Sequence, residues 1–393
     1  MPEIALLALN SGSSSLKFGL FLAEGGDVRL AYRGAIEGIG TAGGRLWMRS
    51  AVGQDVFDHE HAISKQADAI EAIAEKLHEL PFPSLAGIGH RVVHGGPFLQ
   101  EHQRITPQVL EQLEGAIHFA PLHVPVALSL IRAAQKRFPG VPEFACFDTA
   151  FHRTLPEVAA RLPLPERFWK AGVRRYGFHG LSCESVLHTF GTDVPRRMIV
   201  AHLGNGASLT AIADGISVDT TMGLTPTGGV VMGTRSGDLD PGVLLHIERA
   251  TGCGVDEMET LLDKESGLLG ISGLSSDMRR LHQAADNPQA NLAIEIFSRS
   301  VKKAIAGFIP ILEGLDLLVF AGGIGEHDSA VRERICSGLQ PFGVVLNPSS
   351  NAADLSTISA VASLVRVRII PSEEEAQIAR HTCRMLQDNA VSS

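Results

Sequence analysis

A loop of small and hydroxylated residues lies near the start of the chain, where residues 10–17 read NSGSSSLK. A turn that brings backbone amides against phosphate oxygens needs residues with little or no side chain, together with hydroxyls and a cation. All of these residue types are present: Asn10, Gly12, Ser13, Ser15 and Lys17. The loop therefore fits a phosphate cradle in which Asn10 orients magnesium, although a Ser-rich hairpin turn would explain the same letters.

Two later segments also place glycines directly after an apolar run. Residues 202–208 read HLGNGAS, and residues 322–326 read GGIGE. We expect the first to match the N-terminal loop, so that a nucleotide held between the two turns has its phosphates in the cleft between two domains. The second follows a strand, and its glycines would let an adenosine ring lie against the backbone. None of the three is a P-loop, because the GxxxxGK[ST] string is absent.

Hydrophobic patterning predicts the elements that position these loops. Residues 3–18 and 198–210 each read as a strand, a small-residue turn and a second strand, which is typical of a hairpin and indicates a duplicated architecture. Apolar residues recur at helical spacing in 63–80 and 294–312, and 85–93 and 142–147 read as further strands. The pattern favours an α/β fold with sheets covered by helices in each half.

The bulk composition excludes several classes of protein. With 393 residues, of which 45% are hydrophobic, the chain is long enough for two or three domains. The net charge of -9 comes from mixed acids and bases without a basic run, so we expect no nucleic-acid partner. No apolar stretch approaches the roughly 20 residues that span a bilayer. The N-terminal residues also lack the basic region with which a secretory signal begins. We therefore expect no membrane partner and a cytoplasmic location.

Several motifs, in order along the whole chain, resemble the acetate kinase family. The strings are LNSGSSSLK at 9–17, GHRVVHGG at 89–96, CFDTAFH at 146–152, RRYGFHG at 174–180, AHLGNGAS at 201–208 and MGLTPTGGVVMGTRSGDLDPG at 222–242. The resemblance implies two actin-like (ribonuclease H-like) domains with mixed sheets flanked by helices and ATP in the interdomain cleft. The expected domains are 1–148 plus 375–393, and 149–374.

The resemblance also implies a reaction and its cofactors. The expected activity is reversible in-line transfer of the γ-phosphoryl group of ATP to acetate, giving acetyl phosphate and ADP. Magnesium is the expected metal, with manganese as a substitute, and the expected assembly is a homodimer.

Residue roles follow from the same resemblance, position by position. The catalytic set is Arg91, Asp148, His179 and Arg235, and Arg91 also belongs to the acetate pocket with Val93, Leu122 and Pro226. The magnesium-associated residues are Asn10 and Glu374. The nucleotide contacts are Lys17, His202, Leu203, Gly204, Asn205, Gly206, Asp277, Met278, Arg279, Gly323, Ile324, Gly325, Glu326 and His327.

The chemistry explains why these residue types suit the reaction. Transfer between two anions depends mainly on alignment and charge neutralisation, and the arginine fork binds carboxylate or phosphoryl oxygens bidentately without losing its charge. Asp148 has no proton to remove, because acetate is already ionised at neutral pH. We expect it to orient Arg91 or the magnesium hydration shell. Taken singly, the arginines could be surface residues, His179 a packed histidine and Asp148 a helix N-cap.

Three departures from the family pattern bear on specificity. Val124 replaces a usual Asn, His327 replaces another, and Thr227–Gly229 replaces a common Glu-Gly pair. They leave open whether acetate, propionate or butyrate is the preferred acid and which nucleotide is preferred. An actin-like nucleotide switch and a sugar kinase are the competing readings from other classes. The first has no need of paired arginines, and the second needs a base and a polyol-binding set that the sequence does not show.

Overall fold

The computed structural model describes most of the chain, namely residues 3–12, 15–41, 43–60 and 63–391, with side chains as far as Asp388. Ser13, one of the expected phosphate contacts, lies outside these residues. The chain divides into two compact units: unit 1 comprises Met1–Ala150 with Glu373–Ser393, and unit 2 comprises Phe151–Ser372. The expected limits, after residues 148 and 374, placed Glu374 in the second domain, whereas this division places it in unit 1.

The described residues form thirteen strands, which we number in chain order. They are β1 (Ile4–Ser11), β2 (Ser15–Glu24), β3 (Asp27–Glu37), β4 (Arg45–Ser50), β5 (Asp55–Glu60), β6 (Leu85–Val92), β7 (Gln103–Arg104), β8 (Glu143–Phe147), β9 (Arg197–Leu203), β10 (Ala207–Ala213), β11 (Ile216–Thr220), β12 (Leu317–Ala321) and β13 (Arg366–Ile369).

Fifteen α-helices lie among the same residues. They are α1 (Gln66–Leu77), α2 (Pro107–Gly115), α3 (Val124–Arg137), α4 (Glu157–Ala160), α5 (Glu166–Lys170), α6 (Gly180–His188), α7 (Pro241–Thr251), α8 (Val255–Lys264), α9 (Gly267–Ser272), α10 (Met278–Gln283), α11 (Pro288–Ile311), α12 (Gly322–His327), α13 (Ser329–Cys336), α14 (Pro348–Ala352) and α15 (Glu374–Val391). Single turns of 3-10 helix occur at Ile117–Phe119, Ala150–Thr154 and Gln340–Phe342. In the described part of the chain, no helix combines the length and apolar character that a membrane span requires.

The sheet of unit 1 has the order β5-β4-β3-β2-β1-β6-β8-β7. β1 and β2 pair antiparallel as the predicted hairpin, and this register places Asn10 opposite Lys17. β6 runs parallel to both β1 and β8, so the carboxyl ends of these three strands meet at one edge of the sheet. β1 is buried almost throughout, since helices cover the sheet and α15 packs on β1 and β6.

The sheet of unit 2 repeats the central part of this topology. Its order is β11-β10-β9-β12-β13, in which an antiparallel meander is followed by two parallel strands. The segment β3-β2-β1-β6-β8 of unit 1 has the same order and directions. Each unit is therefore a mixed sheet flanked by helices, as expected for the actin-like fold class, and the β9–β10 hairpin confirms the predicted duplication.

Helical periodicity predicted two of the longer helices. α11 covers most of the predicted 294–312 and buries Ile294, Phe297, Val301 and Ile305 on one face, while α1 lies within the predicted 63–80. The expectation of a glycine turn at 322–326 was wrong, because this segment is the helix α12. Glycine is a poor helix former, but the Glu326 carboxylate accepts a hydrogen bond from the Gly322 amide at 2.9 Å and stabilises the first turn.

Candidate active site

The end of β1 and the start of α15 bring an amide and two carboxylates together in unit 1. The Asn10 side-chain amide donates to Glu374 Oε2 at 2.9 Å and to Glu375 Oε1 at 2.8 Å. Asn10 and Glu374 were expected to be associated with magnesium, and the structure places them in direct contact. Sequence reasoning missed Glu375, although it lies in the same run of three glutamates.

The two carboxylates that contact Asn10 repel each other electrostatically. Burial raises the pKa of Glu375, and the neighbouring Glu374 charge raises it further, while Lys17 and the Asn10 hydrogen bond act in the opposite direction. Lys17 faces Asn10 across the hairpin, so the expected phosphate contact lies beside this acidic pair. Amide and carboxylate oxygens are the ligands that Mg²⁺ prefers, and a cation would relieve the repulsion between the two carboxylates. The donor set therefore fits the expected metal.

Arg91 extends from the end of β6 and is held by Asp148, the first residue after β8. Its Nε and Nη2 donate to Asp148 Oδ2 at 2.9 Å and 2.5 Å, and Nη1 donates to the Ser11 carbonyl at 3.2 Å. Burial lowers the pKa of Arg91, but the negative charges of Asp148 and Glu374 outweigh that effect and raise it overall. Arg91 stays charged, and its guanidinium is held by contacts with the end of β1 and with the residue that follows β8.

His179 lies at the start of α6 in unit 2, in a left-handed backbone conformation with φ of 56°. Its Nδ1 lies 2.9 Å from the Ser208 hydroxyl on β10, and its ring stacks on the His202 ring of β9 at 4.3 Å between centroids. A non-glycine residue with this backbone conformation is uncommon and is held by its surroundings. The hairpin β9–β10 therefore fixes the direction of the His179 ring.

Gly206 marks the point where His179 meets Arg235. A Cβ atom at Gly206 would lie 3.4 Å from both His179 Nε2 and Arg235 Nη1. The Gly204 amide donates to the Gly206 carbonyl at 3.0 Å, which closes the expected phosphate-binding turn. The Arg235 Nη1 donates to the Pro226 carbonyl at 3.3 Å. The side chains of His179 and Arg235 thus converge on a turn in which Gly206 itself carries no side chain.

His152 holds the backbone beside His179, a role that the sequence did not reveal. Its Nε2 lies 2.9 Å from the Phe178 carbonyl and its Nδ1 lies 2.9 Å from the Ser217 hydroxyl. Since a carbonyl only accepts, Nε2 carries the proton and Nδ1 accepts from Ser217. Burial lowers the pKa of His152 to about 4, against the weaker opposing effects of the Phe178 carbonyl and Glu184. The ring is therefore neutral and fixed in one tautomer.

The expected nucleotide segments 277–279 and 323–327 both lie in unit 2. Asp277 is the N-cap of α10, with its carboxylate accepting from the Arg279 amide at 2.9 Å and paired with the Arg279 guanidinium at 2.8 Å, which lowers the pKa of Asp277. A hydrogen-bond contact of 2.8 Å between His282 Nε2 and Asp328 Oδ2 joins α10 to the end of α12. Glu326 also accepts from the Ser372 amide at 3.1 Å. Both segments are thus fixed by hydrogen bonds to neighbouring elements.

The residues expected around the acetate methyl occupy different environments. Val93 is buried directly after β6, Leu122 is half-buried before α3, and Pro226 contacts Arg235 as described. Val124, where the family usually has Asn, is fully buried in an apolar cluster with Val92 and Phe147. The replacement therefore adds to the core that supports the ends of β6 and β8.

Comparison with known proteins finds relatives along nearly the whole chain. The family model described as the Acetokinase family matches residues 5–380. The chain is 42% identical to an acetate kinase of Methylocella silvestris over 98% of this chain and 99% of that protein. It is 41% identical to a propionate kinase of Citrobacter rodentium over 97% and 96% of the two chains.

A solved structure gives the same result for the fold. The crystal structure of Porphyromonas gingivalis acetate kinase superposes with a TM-score of 0.84 at 36% identity, covering 98% of this chain and 100% of that one. With matches of this extent in sequence and in structure, the chain belongs to the Acetokinase family.

Proposed function

We propose that the chain is an acetate kinase, which transfers the γ-phosphoryl group of ATP reversibly and directly to acetate, giving acetyl phosphate and ADP. The observation that carries the proposal is the convergence of Arg235 Nη1 and His179 Nε2 on Gly206. A transferring phosphoryl group develops charge on its equatorial oxygens, and fixed donors aimed at that charge are the largest source of rate acceleration in such reactions.

Arg91 is proposed to bind the acetate carboxylate. Its guanidinium is permanently charged and is held by Asp148, so it can align an anion without itself reorganising. Asp148 acts through Arg91 as a positioning residue, because ionised acetate offers no proton to a base.

His179 is proposed to donate to a phosphoryl oxygen. The Ser208 hydroxyl engages Nδ1, and in the tautomer in which Nδ1 accepts from this hydroxyl the proton is on Nε2, the ring nitrogen nearest Gly206. Arg235 supplies the positive charge beside it, and the Pro226 carbonyl orients the guanidinium. The turn 202–206 is proposed to bind the phosphates, while 277–279 and 323–327 contact the rest of the nucleotide.

Magnesium, with manganese as a substitute, is proposed to lie near Asn10, Glu374 and Glu375. When bound, the ion supplies the positive charge that neutralises the phosphate oxygens of ATP. The chain contributes the two carboxylates, which Asn10 holds side by side, and Lys17 beside them.

Substrate choice is proposed to rest on Val93, Leu122 and Pro226. A hydrophobic pocket separates acids that differ by one methylene by only about 1–3 kcal/mol, so we expect propionate to be a slower second substrate.

The similarity to a propionate kinase makes the comparison of acetate with propionate the sharpest test. The protein, ATP, Mg²⁺ and hydroxylamine would be incubated with acetate, propionate or butyrate, and the acyl hydroxamate measured. We expect acetate to give the highest kcat/KM. ATP hydrolysis without hydroxamate from any acid would overturn the function, and a preference for a longer acid would overturn the substrate.

We also propose that two copies of the chain associate through α7 and α8. These consecutive helices bury none of their residues within the described chain, and they expose Val243, Leu245 and Val255. Large apolar side chains exposed together mark association surfaces.

Because the proposed substrates ATP and acetate are cytoplasmic metabolites, we place the enzyme in the cytoplasm.

A further inference from the structure

A groove in unit 2 lies along one face of α11. It encloses about 570 Å³, within the range of small-molecule sites. Its other wall is the segment from Arg334 to Phe342, which includes the end of α13 and the following 3-10 turn. None of its lining residues belongs to the segments proposed to bind ATP or acetate.

The face of α11 that lines the groove is not used by the core. Leu292, Ile296, Arg299 and Lys303 recur at spacings of three and four residues and form one stripe along the helix. The core stripe of the same helix carries Phe297 and its neighbours on another face. The groove stripe is therefore available to a ligand without disturbing the sheet.

The groove is basic in an otherwise acidic protein. Four basic side chains and one acidic side chain line it: Arg299, Lys302, Lys303, Arg334 and Glu295. The whole chain, in contrast, carries a net charge of -9. Lys302 also comes close to the opposite wall, since its Nζ would lie 3.9 Å from a Cβ atom at Gly338. Cations from both walls thus face the same volume.

Two polar groups of the groove are incompletely satisfied. Arg334 Nη1 and the hydroxyl of Ser298 are buried and have no hydrogen-bond partner among the described residues. Ser298 is 3% exposed. The contact between Arg334 Nε and Glu295 Oε1 is 3.6 Å, which is too long for a hydrogen bond. Buried donors without acceptors are rare in native proteins and call for a specific explanation, such as a ligand that is absent.

The remaining lining is apolar and partly exposed. Leu292 is 46% exposed and Phe342 is 45% exposed, at the two sides of the groove. Leu339 and Ile296 continue this surface inward. A simple inorganic anion would leave these side chains uncovered, whereas a ligand with an apolar body would cover them.

We propose that this groove binds a small organic phosphate, with its phosphate against Lys302 and Arg334 and its apolar or aromatic body against Leu292 and Phe342. Arginine and lysine together are the usual partners of phosphate, and the guanidinium of Arg334 gains an acceptor when a phosphate oxygen enters the groove. The site is separate from the proposed ATP site and adds a second anion-binding position to the enzyme.

The test uses three matched probes on the full chain, saturated with Mg²⁺ and ADP so that the nucleotide site is filled. The probes are 1-naphthyl phosphate, inorganic phosphate and 1-naphthol, and binding is measured by calorimetry at low salt, where charge contributes most. We expect 1-naphthyl phosphate to bind one site at least about tenfold more tightly than either partial probe. Equal binding of 1-naphthol, no binding of any probe, or binding that occurs only when ADP is left out would overturn the proposal.

Variants locate the site. Lys302→Glu and Arg334→Gln are each expected to weaken 1-naphthyl phosphate at least about tenfold, and Phe342→Ala about threefold. Arg366→Glu is the matched control for charge, because Arg366 is exposed on β13 outside the groove, and it should change the affinity by less than about twofold. Lys302→Gln replaces Lys302→Glu if the charge reversal does not fold. Unchanged affinity in the groove variants, or an equal loss in Arg366→Glu, would refute the site.

Discussion

Asp148 accepts two hydrogen bonds from Arg91 on a single oxygen, from Nε at 2.9 Å and from Nη2 at 2.5 Å. The pair joins the ends of two neighbouring parallel strands, β6 and β8. The carboxylate is fully buried, while 15% of the Arg91 side chain remains exposed. A buried acid thus fixes a partly accessible cation, which is the arrangement needed to present a rigid fork to an anion.

The first prediction concerns Asp148→Asn. Asparagine keeps one oxygen but loses the negative charge that holds the Arg91 guanidinium, so we expect kcat/KM for acetyl phosphate formation to fall about 100-fold through misplacement of Arg91. The activity losses of Asp148→Asn and Arg91→Lys should overlap in the double variant, because the effects of substitutions at residues in one hydrogen-bond network are not additive. Steady-state assays of both single variants and the double variant measure this. Nearly full activity and magnesium dependence in Asp148→Asn would discard its positioning role.

The second prediction concerns Glu375→Gln in the absence of divalent metal. Burial and the Glu374 charge raise the pKa of Glu375 above its ordinary value of 4.5, so the folded state binds the proton more tightly than the unfolded state. The unfolding free energy of the parent therefore falls as pH rises from 4.5 through the raised folded-state pKa of Glu375, and the cost is complete above that pKa.

We expect Glu375→Gln to melt above the parent at pH 7.5 and the difference to shrink near pH 4.5, as measured by thermal unfolding. Its activity should also require at least about tenfold more Mg²⁺, because a metal-site carboxylate is lost. The neighbouring Glu373→Gln is the control and should follow the parent. A parent more stable than Glu375→Gln at pH 7.5 without metal would contradict the electrostatic account.

The third prediction concerns His179→Ala. Loss of a donor to developing charge typically lowers kcat by about 10²–10³, and we expect that range, with KM for ATP within about threefold of the parent. His118→Ala, at an exposed position in unit 1, is the control and should retain activity. A kcat within tenfold of the parent would remove His179 from the proposed transition-state contacts.

The fourth prediction concerns His152 and pH. Burial lowers its pKa to about 4 in the folded protein, against an ordinary value of about 6.5 in the unfolded chain. The unfolded state then binds more protons between these two values, so stability is complete above the unfolded pKa and is lost as pH falls towards the folded pKa.

Between pH 7.5 and 5.0 this group should remove about 2 kcal/mol from the unfolding free energy of the parent. His152→Gln has no titrating group there, so its unfolding free energy should fall by correspondingly less. Urea unfolding at the two pH values compares them, with His118→Gln as the control. An identical pH dependence in the parent and His152→Gln would show that His152 is not held neutral.

The fifth prediction concerns the surface of α7 and α8. Leu245 is 50% exposed, and a charge at the centre of an apolar interface opposes association. Leu245→Asp should therefore sediment as a single chain at concentrations where the parent sediments as two. Val361→Asp is the control at a fully exposed loop position. A monomeric parent, or dissociation by both variants, would contradict this interface.

Sequence patterns predicted the parts of the fold that carry a strong local signal. The two hairpins were visible because buried strands flank Gly-rich turns, and α11 because its core face repeats over many turns. The strands from Asp27 to Glu60 were not predicted. β5, for example, has almost only exposed residues, so the alternation that marks a half-buried strand is missing.

The sequence identified those site residues whose type is required by the chemistry. It did not identify residues whose role depends on contacts made in the folded structure. The catalytic set could be named from motifs, and Asn10 and Glu374 indeed touch. Which glutamates of the run reach Asn10 depends on where α15 begins, which three identical letters do not reveal. The role of His152 depends on Ser217, which is brought to it by the sheet from 65 positions away along the chain.

The contact between Asn10 and Glu374 spans 364 positions of the chain, and it has a consequence for biosynthesis. Unit 2 is continuous from Phe151 to Ser372, so every residue it needs has been made before translation reaches α15. The main part of unit 1 precedes unit 2 in the chain but lacks α15, and with it both carboxylates on Asn10, until translation has passed unit 2. Unit 1 can therefore complete its fold only after unit 2 has been made, and translation that stops before residue 373 would leave a chain without the proposed metal ligands Glu374 and Glu375.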